Sequence, residues 1–317
     1  MAAQTELQTT AHLLMVRPAN FGFNEETAES NAFQQKDDQL SPAEIRKRAL
    51  QEFDDFVELL RVAGVDVMVV EDSPKPLKTD AVFPNNWVTF HSNGTVITYP
   101  MYAMVRRLER REDILQQVNE RFPFSKRIRL ETAETRRKFL EGTGSMILDR
   151  VHKIAYACLS PRTDAELLDE FCQLTGYRPV VFTATDANGV EIYHTNVMMA
   201  LGETFVVICL ETIKKPDERA MLLQTFAETG KTVIEISLAQ MLAFAGNMLQ
   251  VRNRHGEPLL VMSEQAFRSL SKDQVRALNI HTNMLYSPLY TIEKFGGGSA
   301  RCMMAEIFPP ENGQPEQ

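Results

Sequence analysis

The chain has 317 residues, 44% of them hydrophobic and 24% charged, an ordinary globular balance with enough apolar material for a sizeable core. A net charge of -8 and a pI of about 5.4 argue against a broad nucleic-acid surface. No apolar stretch approaches the ~20 residues of a membrane span, and Met1-Ala2-Ala3-Gln4-Thr5-Glu6 lacks the basic and apolar regions of a signal peptide.

Four cysteines are too few for a disulfide scaffold, so a reducing cytoplasm is expected. Cys158, Cys172 and Cys209 sit in apolar or amphipathic runs and read as buried, inert thiols. The basic run Arg106, Arg107, Arg110 and Arg111 is interleaved with acids and reads mostly as a solvated helix face.

Along the chain, the first element is a strand at His12–Val16. The segment from Pro18 to Phe33 is a candidate substrate-covering loop. A helix is predicted from Pro42 to Ala63: Ser41 suits the N-cap, Pro42 the first helical position, and Glu44 completes a capping box. Leu50, Phe53, Phe56, Val57, Leu60 and Val62 give its apolar face. Gly64 ends it, and Val65–Val70 reads as a strand.

A pattern then recurs: two short apolar runs around a polar turn, a helical stretch, and a closing strand. The pairs open near Trp87, Ser145, Asn196 and Asn247, a period of about fifty residues. Helical stretches follow near 106–120, 163–175, 216–229 and 264–278. Pairing the first strand with a last strand inside Cys302–Ile307 makes a fifth hairpin and closes a ring without exposed sheet edges. This predicts a five-bladed, pseudo-symmetric α/β propeller. A doubly wound parallel sheet needs strands alternating singly with helices, which the sequence does not show. With no Pro/Gly/Ser linker, residues 1–308 are expected to form one domain, and 309–317 a flexible tail.

Three features carry chemistry, each with a plainer reading. Gly296-Gly297-Gly298 lets the backbone approach a ligand closely and is followed by Cys302 beside Arg301, although a turn before a buried cysteine has the same pattern. His194 opens the third hairpin, where a structural histidine is common. Glu141 opens the second, and at the level of His194 it would orient the imidazole; alone it is a turn with an exposed acid. The six histidines form no metal-ligand spacing, and the glycine run is not a phosphate loop, so no metal and no cofactor are expected.

The ordered set DAVFPNNW at 80–87, FLEGTG at 139–144, SPRT at 160–163, YHTNV at 193–197 and GGGSARC at 296–302 resembles the guanidino-group-modifying enzymes of the pentein fold. Within them it resembles the dimethylarginine dimethylaminohydrolase-like branch, and most of all the bacterial citrulline-utilisation hydrolases of the amidinotransferase family. The resemblance spans about residues 12–308. It implies Cys302 as nucleophile, His194 as general acid/base and Glu141 as the group orienting His194. It implies Asp80 for the substrate α-amino group, with Arg162 and, on a looser match, Arg106 clamping its α-carboxylate.

Asn85 and Asn86 stand where enzymes binding a cationic guanidinium often carry acids, and Gly144 replaces an aspartate of arginine deiminases. A neutral amide both donates and accepts, which suits an uncharged ureido group. The expected reaction is hydrolysis of a small amino acid, citrulline first, to ornithine, carbon dioxide and ammonia. Deimination or demethylamination of arginine or a methylarginine, amidino transfer, and a non-catalytic pentein binding module are the alternatives. No nucleic-acid or membrane partner is expected, and a homodimer is left open.

Overall fold

In the computed structural model, which describes residues 6–28, 31, 33–36 and 39–310, fifteen strands form five small sheets of three. The first contains β1 (His12–Arg17), β2 (Asp66–Glu71) and β15 (Ala305–Ile307) in the order β15-β1-β2. The second contains β3 (Val88–His91), β4 (Thr95–Thr98) and β5 (Lys126–Arg129). The third contains β6 (Ile147–Asp149), β7 (Ile154–Cys158) and β8 (Arg178–Phe182). The fourth contains β9 (Met199–Leu201), β10 (Phe205–Ile208) and β11 (Thr232–Glu235). The fifth contains β12 (Leu249–Arg252), β13 (Pro258–Ser263) and β14 (Asn283–Ser287).

Every sheet repeats one design. Two strands pair antiparallel, and a third pairs parallel to the middle strand after a helical crossover. The expected pairing of first and last strands is present, with His12 opposite Ile307 and Leu14 opposite Ala305. The strands β3, β6 and β9 are buried throughout, whereas β5, β11 and β14 are mostly half-buried or exposed. Burial therefore falls from the first strand to the third.

The long helix runs Pro42–Val62 behind a complete Ser41–Glu44 capping box. Its buried face is Ile45, Ala49, Phe53, Phe56, Val57 and Leu60, and Val62 is exposed. The core-facing stripe is thus displaced from the one expected at its two ends. The stretch predicted at 264–278 is two helices, Glu264–Ser269 and Lys272–Asn279, because Ser271 caps the second with its own box. The basic run is also more buried than expected. Arg106 is inside the protein, Arg110 pairs with Glu134 at 2.6 Å, and Arg111 reaches Asp72 at 3.3 Å.

A tight turn precedes the first strand of each hairpin, and except at β3 it shortens the strand relative to its apolar run. These turns are Pro84–Asn86, Gly142–Ser145, Thr195–Met198, 244–247 and Ala300–Met303. The turns pack on one another. A Cβ on Gly142, whose φ is +47°, would fall 2.4 Å from the Asn85 carbonyl oxygen, and one on Gly246 would fall 2.2 Å from that of Val197. Only glycine permits either approach.

Candidate active site

The turns set the candidate residues. Asn86 ends the turn 84–86, Glu141 and His194 each stand at the N-cap of theirs, and Cys302 lies inside 300–303. Asp80, Asn86, Arg106, Arg162, His194 and Cys302 line one pocket with Phe83, Tyr193 and Gly296–Gly298. Thr27 and Asn31, from the segment expected to cover the substrate, complete it; residues 29, 30 and 32 of that segment lie outside the described residues. The free space inside is about 10 Å³, room for a single water. A larger cavity of about 920 Å³ is lined by hairpin-turn and chain-end residues such as Ser92, Lys153, Arg254 and Pro310, and by none of the residues singled out above.

His194 Nε2 meets Glu141 Oε2 at 2.7 Å. The other carboxylate oxygen accepts from the Tyr102 backbone N–H at 2.8 Å, and Arg162 Nη1 lies 3.5 Å from Oε2. Burial pushes the Glu141 carboxyl up, but Arg162, the His194 hydrogen bond and Arg106 outweigh it and hold the group at about 2. Burial pushes His194 down to about 4, against the upward pull of Glu141. Near neutral pH the pair is therefore a carboxylate and a neutral imidazole whose Nε2 is held by Glu141. This leaves Nδ1 for proton transfer.

Cys302 is 4% exposed, and its sulfur receives the Asn196 and Asn247 side-chain amides at 3.4 and 3.3 Å. The other three thiols are buried and free. Burial pushes Cys158 and Cys172 up to about 12 and Cys209 to about 11.

The two asparagines read together from sequence are separated. Asn85 donates to Thr143 Oγ1 at 3.4 Å, against the next turn, and does not line the pocket. Successive side chains of a 3₁₀ turn point about a third of a revolution apart, so both cannot face one ligand. Arg106 also differs from expectation. Its Nε and Nη2 grip both oxygens of Glu109 at 2.9 Å, and Nη1 holds Asn86 Oδ1 at 2.8 Å. The fork expected to face a substrate carboxylate is filled from inside the protein.

Asp80 accepts from Asn24 at 2.7 Å and stands 3.7 Å from Arg106; burial raises its pKa. Its Oδ1 and the Asn86 Nδ2 are both buried without a protein partner. Sequence reasoning passed over Glu109, Asn247 and Tyr193. Asn247 had a signal, since it opens the fourth hairpin at the level where His194 and Cys302 open theirs. Tyr193 donates to the Gly297 carbonyl at 2.7 Å and lies 4.9 Å beneath the Arg162 guanidinium.

Five ββαβ sheets, and an imidazole and a thiol lining one pocket with Glu141 bonded to the imidazole, go with the class of pentein guanidino-modifying hydrolases. The chain belongs to the family described as N,N dimethylarginine dimethylhydrolase, eukaryotic, whose profile matches residues 17–309. No curated protein sequence matches it.

Among solved structures, it is similar to the N-terminal domain of ArgZ bound to product, an arginine dihydrolase from the ornithine-ammonia cycle in cyanobacteria. That likeness has a TM-score of 0.72 at 16% identity and covers 94% of this chain and 98% of that one. It is similar to AgrE in complex with ornithine and NAD+, with a TM-score of 0.72 at 17% identity, covering 94% of this chain and 39% of AgrE. It is also similar to a dimethylarginine dimethylaminohydrolase adduct with S-methyl-L-thiocitrulline, with a TM-score of 0.65 at 17% identity, covering 94% and 100%. Among the described residues no helix is long and apolar enough to cross a membrane, and no group of three His, Cys, Asp or Glu could hold a metal ion.

Proposed function

We propose that this protein hydrolyses a C–N bond in the ureido or guanidino group of a small arginine-related amino acid, with citrulline as the first substrate. The observation that carries the reading is that Cys302 and His194 line one buried pocket, with Glu141 hydrogen-bonded to His194. Cys302 passes its proton to His194, and the thiolate forms a C–S bond to the ureido carbon. The C–N bond to the ornithine side chain then breaks as His194 returns the proton to the departing amine. His194 next takes a proton from water, whose oxygen attacks the thio-linked carbon. The C–S bond breaks, and the released carbamate decomposes to carbon dioxide and ammonia.

The preference for a neutral group rests on Asn86. With its oxygen held by Arg106, its nitrogen is left as a donor, which matches a ureido carbonyl and not a guanidinium, whose nitrogens only donate. Asp80, with one unpartnered oxygen, takes the α-ammonium, and Arg162 the α-carboxylate. Arg106 instead holds Asn86. We read residues 1–308 as one catalytic unit whose five sheets are the blades of a pentein propeller, and the protein as cytoplasmic.

Methylarginine demethylamination is the second reading, favoured by the family match. A panel of citrulline, arginine and methylarginines with mass-spectrometric identification of products tests both. Ornithine from citrulline is expected. Citrulline formed from a methylarginine would replace the first reading with the second.

A further inference from the structure

Resting on the reading of Cys302 as nucleophile, we infer that Asn247 and Asn196 form a two-amide cradle that stabilises its thiolate, a task commonly given to a neighbouring cation. Two side-chain N–H donors converge on the sulfur, from Asn247 at 3.3 Å and Asn196 at 3.4 Å. Both asparagines are essentially fully buried, so their donors are neither screened nor exchanged with water.

The orientation of Asn247 is fixed by its other bonds. Its Oδ1 accepts from the Arg301 backbone N–H at 3.0 Å, and its Nδ2 also reaches the Asn196 carbonyl at 2.9 Å. Flipping the amide would oppose oxygen to oxygen and nitrogen to nitrogen. The turn that carries Cys302 is therefore tied to the amide that serves its sulfur. Asn196 directs Nδ2 at the sulfur and leaves Oδ1 buried without a partner, an arrangement whose cost a charged acceptor offsets.

The charged and titratable groups around the pocket do not take over this role. Burial keeps His194 neutral near pH 7, with Nε2 given to Glu141. Arg301, although adjacent in sequence, spends its guanidinium on the Met304 carbonyl and Glu306, both at 2.9 Å. Arg106 is gripped by Glu109, Arg162 faces Glu141 at 3.5 Å over the Tyr193 ring, and Asp80 and Tyr193 bring no positive charge. Hydrogen bonds to a charged acceptor are about twice as strong as neutral ones, so the cradle favours the thiolate over the thiol.

The test is thiolate absorbance near 240 nm titrated without substrate, with Cys302→Ser as background. The remaining thiols are pushed to about 11–12 and leave the lower range clear. Asn247→Asp keeps the acceptor for the Arg301 N–H but replaces the donor, and Asn196→Leu removes the second donor at similar volume. Each is expected to move the Cys302 midpoint upward by about one pH unit or more, the equivalent of one charge-assisted bond. Turnover of citrulline should fall ~10-fold or more in kcat with little change in KM. Should Asn247→Asp fail to fold, Asn196→Leu alone decides. A midpoint that stays in place overturns the cradle even if Cys302 proves essential. A midpoint that moves supports it even if the substrate is not citrulline.

Discussion

Asn86 gives its amide oxygen to Arg106 at 2.8 Å, and its amide nitrogen lies against Gly144 beside the His194 ring. A Cβ on Gly144 would fall 2.4 Å from that nitrogen and 2.8 Å from His194 Nδ1. Glycine at 144 and a neutral amide at 86 therefore belong together: the space an aspartate side chain would fill at 144 is taken by Asn86.

From this follows a change of substrate preference. Asn86→Asp should lower kcat/KM for citrulline by about 30- to 1000-fold, the cost of one lost polar match of roughly 2–4 kcal/mol in a closed site. Arginine, which supplies a counter-charge, should suffer less or gain. Both substrates are to be measured on both proteins. An unchanged ratio would remove the argument for a neutral substrate.

Cys302→Ser should abolish turnover while leaving the unfolding midpoint near that of the wild type, because a hydroxyl is far less ionised than a thiol. Cys158→Ser should do the reverse. It places a hydroxyl in a fully buried site and should cost roughly 1–3 kcal/mol in urea unfolding, with kcat largely kept. Near-wild-type activity in Cys302→Ser would end the covalent mechanism.

Glu141→Gln keeps the shape of the His194 partner and removes its charge. Turnover should fall by ~100-fold or more, in the range of general acid–base contributions. Stability should also lose a pH dependence. The folded-state pKa of Glu141 lies near 2, below its ordinary 4.5. The carboxylate therefore contributes stability that is present above 4.5 and lost as pH falls towards 2. His194, depressed from 6.5 to about 4, adds loss of the same sign between those values. Urea midpoints measured from pH 7 downwards should drop more steeply in wild type than in Glu141→Gln. Parallel curves would show that Glu141 is not held ionised.

Glu293 has the opposite sign. It is buried beneath the glycine run, where Ser299 Oγ donates to it at 2.6 Å, and burial raises it to about 7 from 4.5. The folded protein keeps this proton where the unfolded chain has lost it. Its contribution is therefore full below pH 4.5 and lost as pH rises through 7. Glu293→Gln, which mimics the protonated form, should leave the melting temperature nearly unchanged at pH 5 and raise it at pH 8.5. An equal shift at both values would contradict a neutral Glu293.

The repeat was legible because it is written in contrasts that survive without neighbours. Short apolar runs around Ser92-Asn93-Gly94 or His255-Gly256 mark hairpins, and the Ser41–Glu44 box marks a helix start. The turns of three or four residues before each first strand were not, because so short a segment shows no helical period and its residues look like the beginning of a strand. That lost the separation of Asn85 from Asn86, since strand and turn send neighbouring side chains in different directions. Glu109 was hidden for another reason. Arg106 and Glu109 have the i,i+3 spacing of a surface pair, and only burial by distant segments turns that pair into the support of Asn86. Asp80, Arg162, His194 and Cys302, which share the pocket, were named from motif order, and Asn247 was visible only as an opening position.

The pairing of His12 with Ile307 also has a consequence in time. During synthesis at roughly 5–20 residues per second, β1 emerges tens of seconds before β15 exists to cover its edge. The turn bearing Cys302 arrives in that same final stretch. A nascent chain can thus complete four sheets, with His194 and Glu141 in place, while the pocket between them still lacks Cys302. Premature termination between β14 and Cys302 leaves β1 with an open edge and the pocket without this thiol, a polypeptide suited to quality control.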